Sequence, residues 1–511
     1  MALGTETLAR ASASRPWRTV GVWVILLVAA GLLSSQLLGD ALTGEITFTN
    51  DPESVRALEI VEEVRGEVAG SEFVVVKSDS VTATDPGYAA YVGELQAVLG
   101  QSQSVEAVGS YLTQDGPVSE SGTTVLLPVT LAGSDVDGLS ANAQRVADIV
   151  AGLPAPTGFE ALVAGPATLN NEFNDIAEQD LAKGETIGIG VALLVLVFVF
   201  GSLAAGVVPI ILGVVAIAVA MGLSALVGQL FDLSFFITNM ITMIGLAVGI
   251  DYSLFIVSRY REERGHGMEK LDAIERAGAT ATRAVFFSGL TVVLALIGML
   301  ILPNTLFRAL GTGAILVVIV AVAASLTLLP AVLSLMGDRI DSLKVRRRRS
   351  PDESGRFWER WTRIVMGRPL VSLVFSAGLL ILAASSMFSM NSGLSGVSTL
   401  PDDMESKVAF EILATEFAGG LTSPLDVVVT GEGVDDTLIA LQDDIAADGG
   451  FGVVTVDPAS TGTLAILSVQ LLGDVNSIAS QEAVRHLRAD IIPVATAADT
   501  AVYVGGETAI T

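Results

Sequence analysis

Ile241-Thr-Met-Ile-Gly-Leu-Ala-Val-Gly-Ile-Asp251-Tyr252-Ser-Leu-Phe-Ile-Val257 places one carboxylate inside an otherwise apolar helical stretch. Bilayer hydrocarbon holds no water to solvate a charge, so an ionisable group at that depth marks a functional site by default. The competing reading puts Asp251 at the cytoplasmic rim, paired with Arg259 or Arg261. Spacing argues against it, because Arg259 lies about 12 Å further along a helix.

Working outward, the 511 residues are 51% hydrophobic and only 16% charged. That balance describes a polytopic membrane protein. Cysteine is absent, which excludes disulfides and thiolate metal sites. The two histidines, His266 and His486, lie in different segments, so a histidine-based metal or catalytic cluster is not expected. No phosphate-binding Gly-rich loop of the Walker type occurs. The sequence therefore predicts no cofactor, and any work done must draw on an energy source other than ATP bound in such a loop.

Apolar runs long enough to span a bilayer fall at 17–38, 186–204, 206–228, 234–258, 284–303, 308–336 and 369–390. With seven spans, nineteen of the 28 Lys and Arg residues fall on one side. They precede the first span, follow the fourth (Arg259 to Arg283) and precede the seventh (Arg339 to Arg368). The positive-inside rule makes that side cytoplasmic and the two long hydrophilic segments extracytoplasmic. The first span also resembles a cleavable signal peptide, but Val20–Leu38 is too long for an h-region, and Trp17 and Trp23 suit interfacial anchors. An uncleaved span is the reading taken.

The predicted organisation is a cytoplasmic N-terminus (1–16), a first span (17–38), a first α/β domain (39–183) and a bundle of five spans (184–336) with a cytoplasmic connector at 259–283. A basic linker and interfacial helix (337–368), a seventh span (369–390) and a second α/β domain (391–511) follow. In the first hydrophilic segment, periodicity predicts helices at 52–70, 88–99 and 139–153 and strands at 73–77, 123–131 and 160–163. In the second it predicts helices at 401–417, 435–447 and 480–492 and strands at 426–430, 463–471 and 501–504. Thr123-Thr-Val-Leu-Leu-Pro-Val-Thr130 matches Thr463-Leu-Ala-Ile-Leu-Ser-Val-Gln470, and Val163-Ala-Gly-Pro-Ala-Thr168 matches Val504-Gly-Gly-Glu-Thr-Ala509. Each copy follows a single span, which predicts an internal repeat of the kind common in secondary transporters. By that symmetry five more spans are expected after residue 511, as in a truncated chain.

One span, a large α/β domain, five clustered spans and then the same again resembles the resistance-nodulation-division superfamily. Within it, Gly249-Ile-Asp251-Tyr252-Ser-Leu-Phe255 followed by Arg259-Tyr-Arg-Glu-Glu263 resembles the MMPL (mycobacterial membrane protein large) family over essentially the whole chain. The resemblance implies a duplicated architecture with two exported, ferredoxin-like α/β porter domains. It also implies proton relay through Asp-Tyr pairs in spans four and ten, here Asp251 and Tyr252 for the first, and lipid or lipid-like substrates. The second pair is expected beyond residue 511.

Desolvation of a buried carboxylate favours its neutral form, so such a group can bind and release a proton near working pH. Gly245 and Gly249 form a small-xxx-small pattern for close helix approach. Ser288 and Thr291 in the fifth span are candidate relay partners, although hydroxyls in membrane helices commonly bond their own backbone. Arg261 to Arg283 reads as an amphipathic connector with Leu271, Ile274 and Ala277 or Gly278 on one face. Arg346–Arg349 reads as a topological anchor or a headgroup-binding cluster. Phe357, Trp358 and Trp361, interleaved with Arg360 and Arg363, read as an interfacial helix. Asp175, Glu178 and Asp180 read as a solvated helix face.

Together these features lead to a non-enzymatic, proton-driven exporter of lipids or other amphipathic molecules in the bacterial cytoplasmic membrane. The expected partners are substrate lipid, protons, membrane lipids and a possible second copy of the chain, with no nucleic acid. The alternative is a sensor, receptor or assembly scaffold, or an accessory to protein export, on the same fold.

Overall fold

In the computed structural model the chain is described except at residues 1–3, 44–46, 66–69, 114–115, 134, 232, 343–350, 390–399, 403, 418–424, 458–459, 461, 473–476, 498 and 511. The Arg346–Arg349 cluster lies outside the described residues. Two compact units result: Met1–Asn50 with Gln179–Ser385, and Asp51–Glu178 with Ser386–Thr511.

Six helices are long and apolar enough to cross a membrane: Pro16–Leu38, Pro166–Phe200, Leu203–Val227, Phe236–Gly265, Lys270–Ile301 and Thr305–Asp341. All lie in the first unit except the start of Pro166–Phe200, which belongs to the second. A bent pair, Glu359–Gly367 and Pro369–Ser385, makes a seventh if counted as one span. The second of these helices starts twenty residues earlier than hydropathy alone predicts, because its polar first half is helical too. It ends at Phe200, where Gly201 takes a left-handed φ of 64°. A residue without Cβ adopts that terminating conformation at little cost. Ser202 then opens the next helix, its Oγ accepting from Ala205 N at 3.4 Å.

The sixth span is interrupted at Thr327. Pro330 has no N–H to bond the Leu326 carbonyl, and its ring crowds the preceding turn. Trp23 Nε1 donates to Thr327 Oγ1 at 3.0 Å, fixing the first span against this break. Trp23 is therefore buried within the bundle and not an interfacial anchor, whereas Trp17 is exposed.

Two further observations concern the segments outside the predicted spans. Residues 1–16 contain a helix, Thr5–Ser14, whose Ala9 and Ala13 are buried. Its ends are tied down by Thr5 Oγ1 donating to the Gly278 carbonyl (2.8 Å) and Ser334 Oγ donating to the Ala13 carbonyl (2.8 Å). Within the predicted connector, 259–283, the fourth helix continues to Gly265, and a separate helix, Lys270–Ala279, buries Ala273, Ile274, Ala277 and Gly278. The helix over the predicted seventh span is α-helical over Pro369–Ser385 and continues as a 3-10 turn, Ser386–Ser389; residue 390 lies outside the described residues.

The second unit holds two four-stranded antiparallel sheets. The first part runs α1 (Glu53–Arg65), β1 (Ser71–Ser78), α2 (Pro86–Gly100), β2 (Val105–Val108), β3 (Thr124–Leu131), α3 (Val136–Gly152) and β4 (Phe159–Ala164). The second runs α4 (Glu405–Glu416), β5 (Leu425–Gly431), α5 (Val434–Ala447), β6 (Phe451–Val456), β7 (Leu464–Leu471), α6 (Ile478–His486) and β8 (Thr500–Gly505). The strand orders are β2-β3-β1-β4 and β6-β7-β5-β8, the same sequence of neighbours. Strands β2 and β6 are the ones the sequence reading missed.

Alternation along the central strands explains the layers, since successive side chains point to opposite faces. Val74 and Val76 of β1 pack with Tyr88, Leu95 and Leu99 of α2 and Val146 of α3, while Val75 faces the other way. In the second sheet Val427 and Val429 pack with Leu441 and Ile445 of α5, and Val428 faces the other way. Register keeps the correspondence: Val75 pairs with Leu126 and Leu162, and Val428 with Ile466 and Tyr503.

The first helix of each half crosses to the other half's sheet. Ala57 and Val61 of α1 pack on Val428 and Ile466, and Ala409, Ile412 and Leu413 of α4 pack on Val75, Leu126 and Leu162. Arg56 sits 5.0 Å above the Tyr503 ring. Neither half completes its hydrophobic layers without the other, so the two sheets form one cooperative body.

Candidate functional site

The fourth span, Phe236–Gly265, is packed on one side by small residues. A Cβ on Gly249 would come within 2.6 Å of Gly213 Cα in the third span, and one on Gly245 within 2.5 Å of Ile217 and 2.7 Å of Val317. Glycine at 249 lets the third and fourth backbones approach closely, and glycine at 245 makes room for the Ile217 and Val317 side chains of the third and sixth spans. The buried stripe continues through Ile241, Ser253 and Ile256. Hydroxyls on this helix bond their own turns: Thr242 Oγ1 to the Thr238 carbonyl at 2.8 Å, and Ser253 Oγ to the Gly249 carbonyl at 2.6 Å.

Asp251 lies on the opposite stripe. Met243, Ala247, Asp251, Phe255 and Ser258 are all exposed, four or three residues apart, and Asp251 is the only acid among them. Among the described residues Asp251 has no hydrogen-bond or ion-pair partner. The rim-pairing alternative fails on identity of partners: Arg259 binds Glu263 at 2.6 Å and Glu262 at 2.7 Å, and Arg261 binds Asp341 through two nitrogens at 2.6 and 2.9 Å. Arg264 pairs with Asp338 in the same layer. The Arg261 and Arg264 pairs staple the C-terminal end of the fourth span to that of the sixth, the Arg259 pairs stay within the fourth helix, and the carboxylate two turns away is left unmatched.

Tyr252 turns away from Asp251, as consecutive helical positions must. It is 5% exposed, and its hydroxyl lies 3.6 Å from where a Cβ on Gly289 of the fifth span would sit. A Cβ there would meet Tyr252 at ordinary contact distance but would collide with Val322 Cγ2 of the sixth span, so Gly289 makes the space for Val322 beside the Tyr252 ring, a role that no sequence signal singled out. The two remaining candidates, Thr291 and Ser288, make no hydrogen bond to Asp251 or Tyr252 among the described residues. Thr291 Oγ1 donates to the Phe287 carbonyl one turn back at 2.9 Å, as hydroxyls in membrane helices commonly do. Ser288 is exposed. The structure therefore brings together Gly245, Gly249 and Tyr252 as packing around the carboxylate's helix, and presents Asp251 alone on the free face.

The α/β unit holds a second carboxylate that sequence reasoning passed over. Glu72, at the start of β1, is 1% exposed and accepts from Ala167 N (2.9 Å), Thr168 N (3.4 Å) and Thr168 Oγ1 (2.5 Å). It caps the helix that begins at Pro166, where backbone N–H groups lack intrahelical partners. A Cβ on Gly165 would collide with it. Burial pushes its pKa up, with the three donors pulling in the other direction. Asp175 and Asp180 are exposed on the helix from Pro166, and Asp175 borders a shallow open cleft with Ser140, Ala141, Gln144, Asn171 and Asn174. Among the described residues no group of three or more His, Cys, Asp or Glu is placed to hold a metal.

Residues 47–372 match the MMPL family. The mycolic acid-containing lipids exporter MmpL11 of Mycolicibacterium smegmatis is 30% identical over 511 residues, 97% of this chain and 53% of that protein. The trehalose monomycolate exporter MmpL3 of the same organism is 29% identical, covering 82% of this chain and 45% of its own length. A Mycobacterium tuberculosis relative, 32% identical over 68% of this chain and 37% of its own, is named a heme uptake protein, MmpL11. The chain spans about half the length of the curated relatives it matches. With the family match extending from the start of the first α/β segment into the seventh span, and with six to seven apolar helices beside two α/β sheets, the chain is a multi-pass membrane protein that belongs to the MMPL family.

Proposed function

We propose that the chain is part of a proton-driven exporter of lipids or other amphipathic molecules, in which Asp251 carries the proton. The observation that supports this most is the unpartnered carboxylate midway along an apolar stripe of the fourth span. Protonation removes its charge and most of the cost of holding it in a dry environment. It therefore biases which packing of the spans is favoured, and a proton gradient can drive the exchange between packings. Tyr252 and the glycine contacts hold the helix that presents Asp251.

The identical strand order, the matching register and the exchanged helices α1 and α4 support an internal duplication. Clustered arginines at the inner ends of the spans support a cytoplasmic placement for those ends and an outward placement for both α/β domains, as porter domains would have. A lipid substrate is favoured over heme because the two exporters above cover more of this chain. The test is made in the native host. Deleting the gene and restoring the complete product should first abolish and then recover delivery of one lipid class to the cell surface. Unchanged surface lipids with altered heme-dependent growth would favour the heme reading, and unchanged lipids and heme use with altered signalling or assembly would favour a receptor or scaffold.

A further inference from the structure

Helix Pro351–Gly367 is the largest feature that the export reading leaves unused. It meets helix Pro369–Ser385 at Arg368, and Glu359–Gly367 and Pro369–Ser385 cross at 94°. Pro369 accounts for the break, since it lacks an N–H and disfavours helical geometry at the residue before it. A helix at a right angle to a span lies in the plane of the membrane surface.

Its described side chains divide by face. Trp361, Ile364 and Val365 fall within an arc of about 100° and are 52%, 57% and 45% exposed. Arg360, Glu359 and Arg363 lie outside that arc, with Arg363 Nη2 2.7 Å from Glu359 Oε1, and Met366 lies on their side. The stripe is thus apolar, aromatic-bearing and uncovered among the described residues. Residues 344–368 carry nine basic and three acidic side chains, in a protein whose net charge is −27. Charge of the opposite sign to the rest of the molecule, beside an apolar stripe and next to a membrane span, matches an anionic bilayer surface.

We propose that helix Pro351–Gly367 is a docking surface for anionic phospholipid headgroups, its Trp361-Ile364-Val365 stripe entering the acyl boundary while Arg360, Arg363 and Arg368 hold the headgroups. This rests on the membrane-spanning part of the reading above and is independent of what is exported.

The absence of cysteine allows single spin labels to be placed without removing native thiols. The full chain carrying Ile364→Cys, Met366→Cys or Leu379→Cys is assembled into phosphatidylcholine nanodiscs with or without phosphatidylglycerol. With phosphatidylglycerol, the Ile364→Cys label is reached by oxygen and shielded from a water-soluble nickel chelate, and the Met366→Cys label shows the reverse. Omitting phosphatidylglycerol, or adding Arg360→Gln and Arg363→Gln, lowers the lipid-embedded population, by roughly fivefold per guanidinium. Shielding of Ile364→Cys from both reagents would mean that protein covers the stripe, and equal embedding in both lipids would mean no headgroup recognition. Either result overturns the proposal. The Leu379→Cys label reports insertion of the seventh span, so its embedding without that of Ile364→Cys would defeat the docking while leaving the membrane reading intact.

Discussion

Glu72 and Asp251 are carboxylates of the same chain in opposite circumstances. Glu72 is sealed within the α/β unit and accepts three hydrogen bonds at the start of the helix from Pro166. Asp251 sits on a free stripe of the fourth span with no described partner. The first is what a structural acid looks like: its cost of burial is offset by donors and a helix N-terminus. The second has no such compensation in a stretch made for hydrocarbon, and a protein retains such a group where its proton does work.

The comparison breaks most visibly if leucine replaces each acid. Glu72→Leu should destabilise the α/β unit by about 1–3 kcal/mol, the cost of leaving buried donors unsatisfied. Asp251→Leu should leave thermal unfolding in detergent unchanged or slightly raised. A large loss of stability in Asp251→Leu would show that Asp251 is structural after all. Packing around the second acid comes next. Gly249→Ala forces a Cβ against Gly213 and should cost about 1–3 kcal/mol. A wild-type melting curve for that variant would contradict the close approach of the third and fourth spans.

The pH response sharpens the contrast further. Because burial raises the Glu72 pKa, the folded state holds that proton more tightly than the unfolded chain. The resulting stability is complete in acid and is lost as pH rises through the raised pKa. Glu72→Gln should therefore flatten the fall in stability across that window, measured by limited proteolysis at stepped pH. The smallest effect concerns the candidates that make no hydrogen bond to Asp251. Ser288→Ala and Thr291→Val should leave export within experimental error of wild type, and a strong defect in either would restore them to the relay.

Much of this contrast was legible in the sequence, and the reasons differ by element. The fourth span and Asp251 were plain because a lone acid in a long apolar run has few alternative readings. The central strands were plain because Val74-Val-Val76 and Val427-Val-Val429 are β-branched runs bounded by turns. Strand β2, Val105-Glu-Ala-Val108, was not legible: it is an edge strand with a bulge in its register and exposed Glu106 and Ala107. Strand β6 has the same defect between Phe451 and Val454. The exchange of α1 and α4 between sheets follows from tertiary packing, which no local pattern encodes. Helical spacing gave the directions of Asp251 and Tyr252 but not their neighbours, so the role of Gly289 and the hydrogen bonding of Thr291 emerged only from the packed spans. Glu72 stayed hidden because a glutamate at the start of a strand reads as exposed, and its partners lie nearly a hundred residues away.

The central claim is that the unmatched carboxylate at 251 carries the transported proton. The most direct measurement compares surface lipids in gene-deleted cells carrying the complete wild-type product, Asp251→Asn or Asp251→Glu, at matched membrane levels. The account predicts that Asp251→Asn, which keeps the shape and loses the titratable proton, leaves a lipid class inside the cell, and that Asp251→Glu retains part of its export. Normal surface lipids with Asp251→Asn would contradict it.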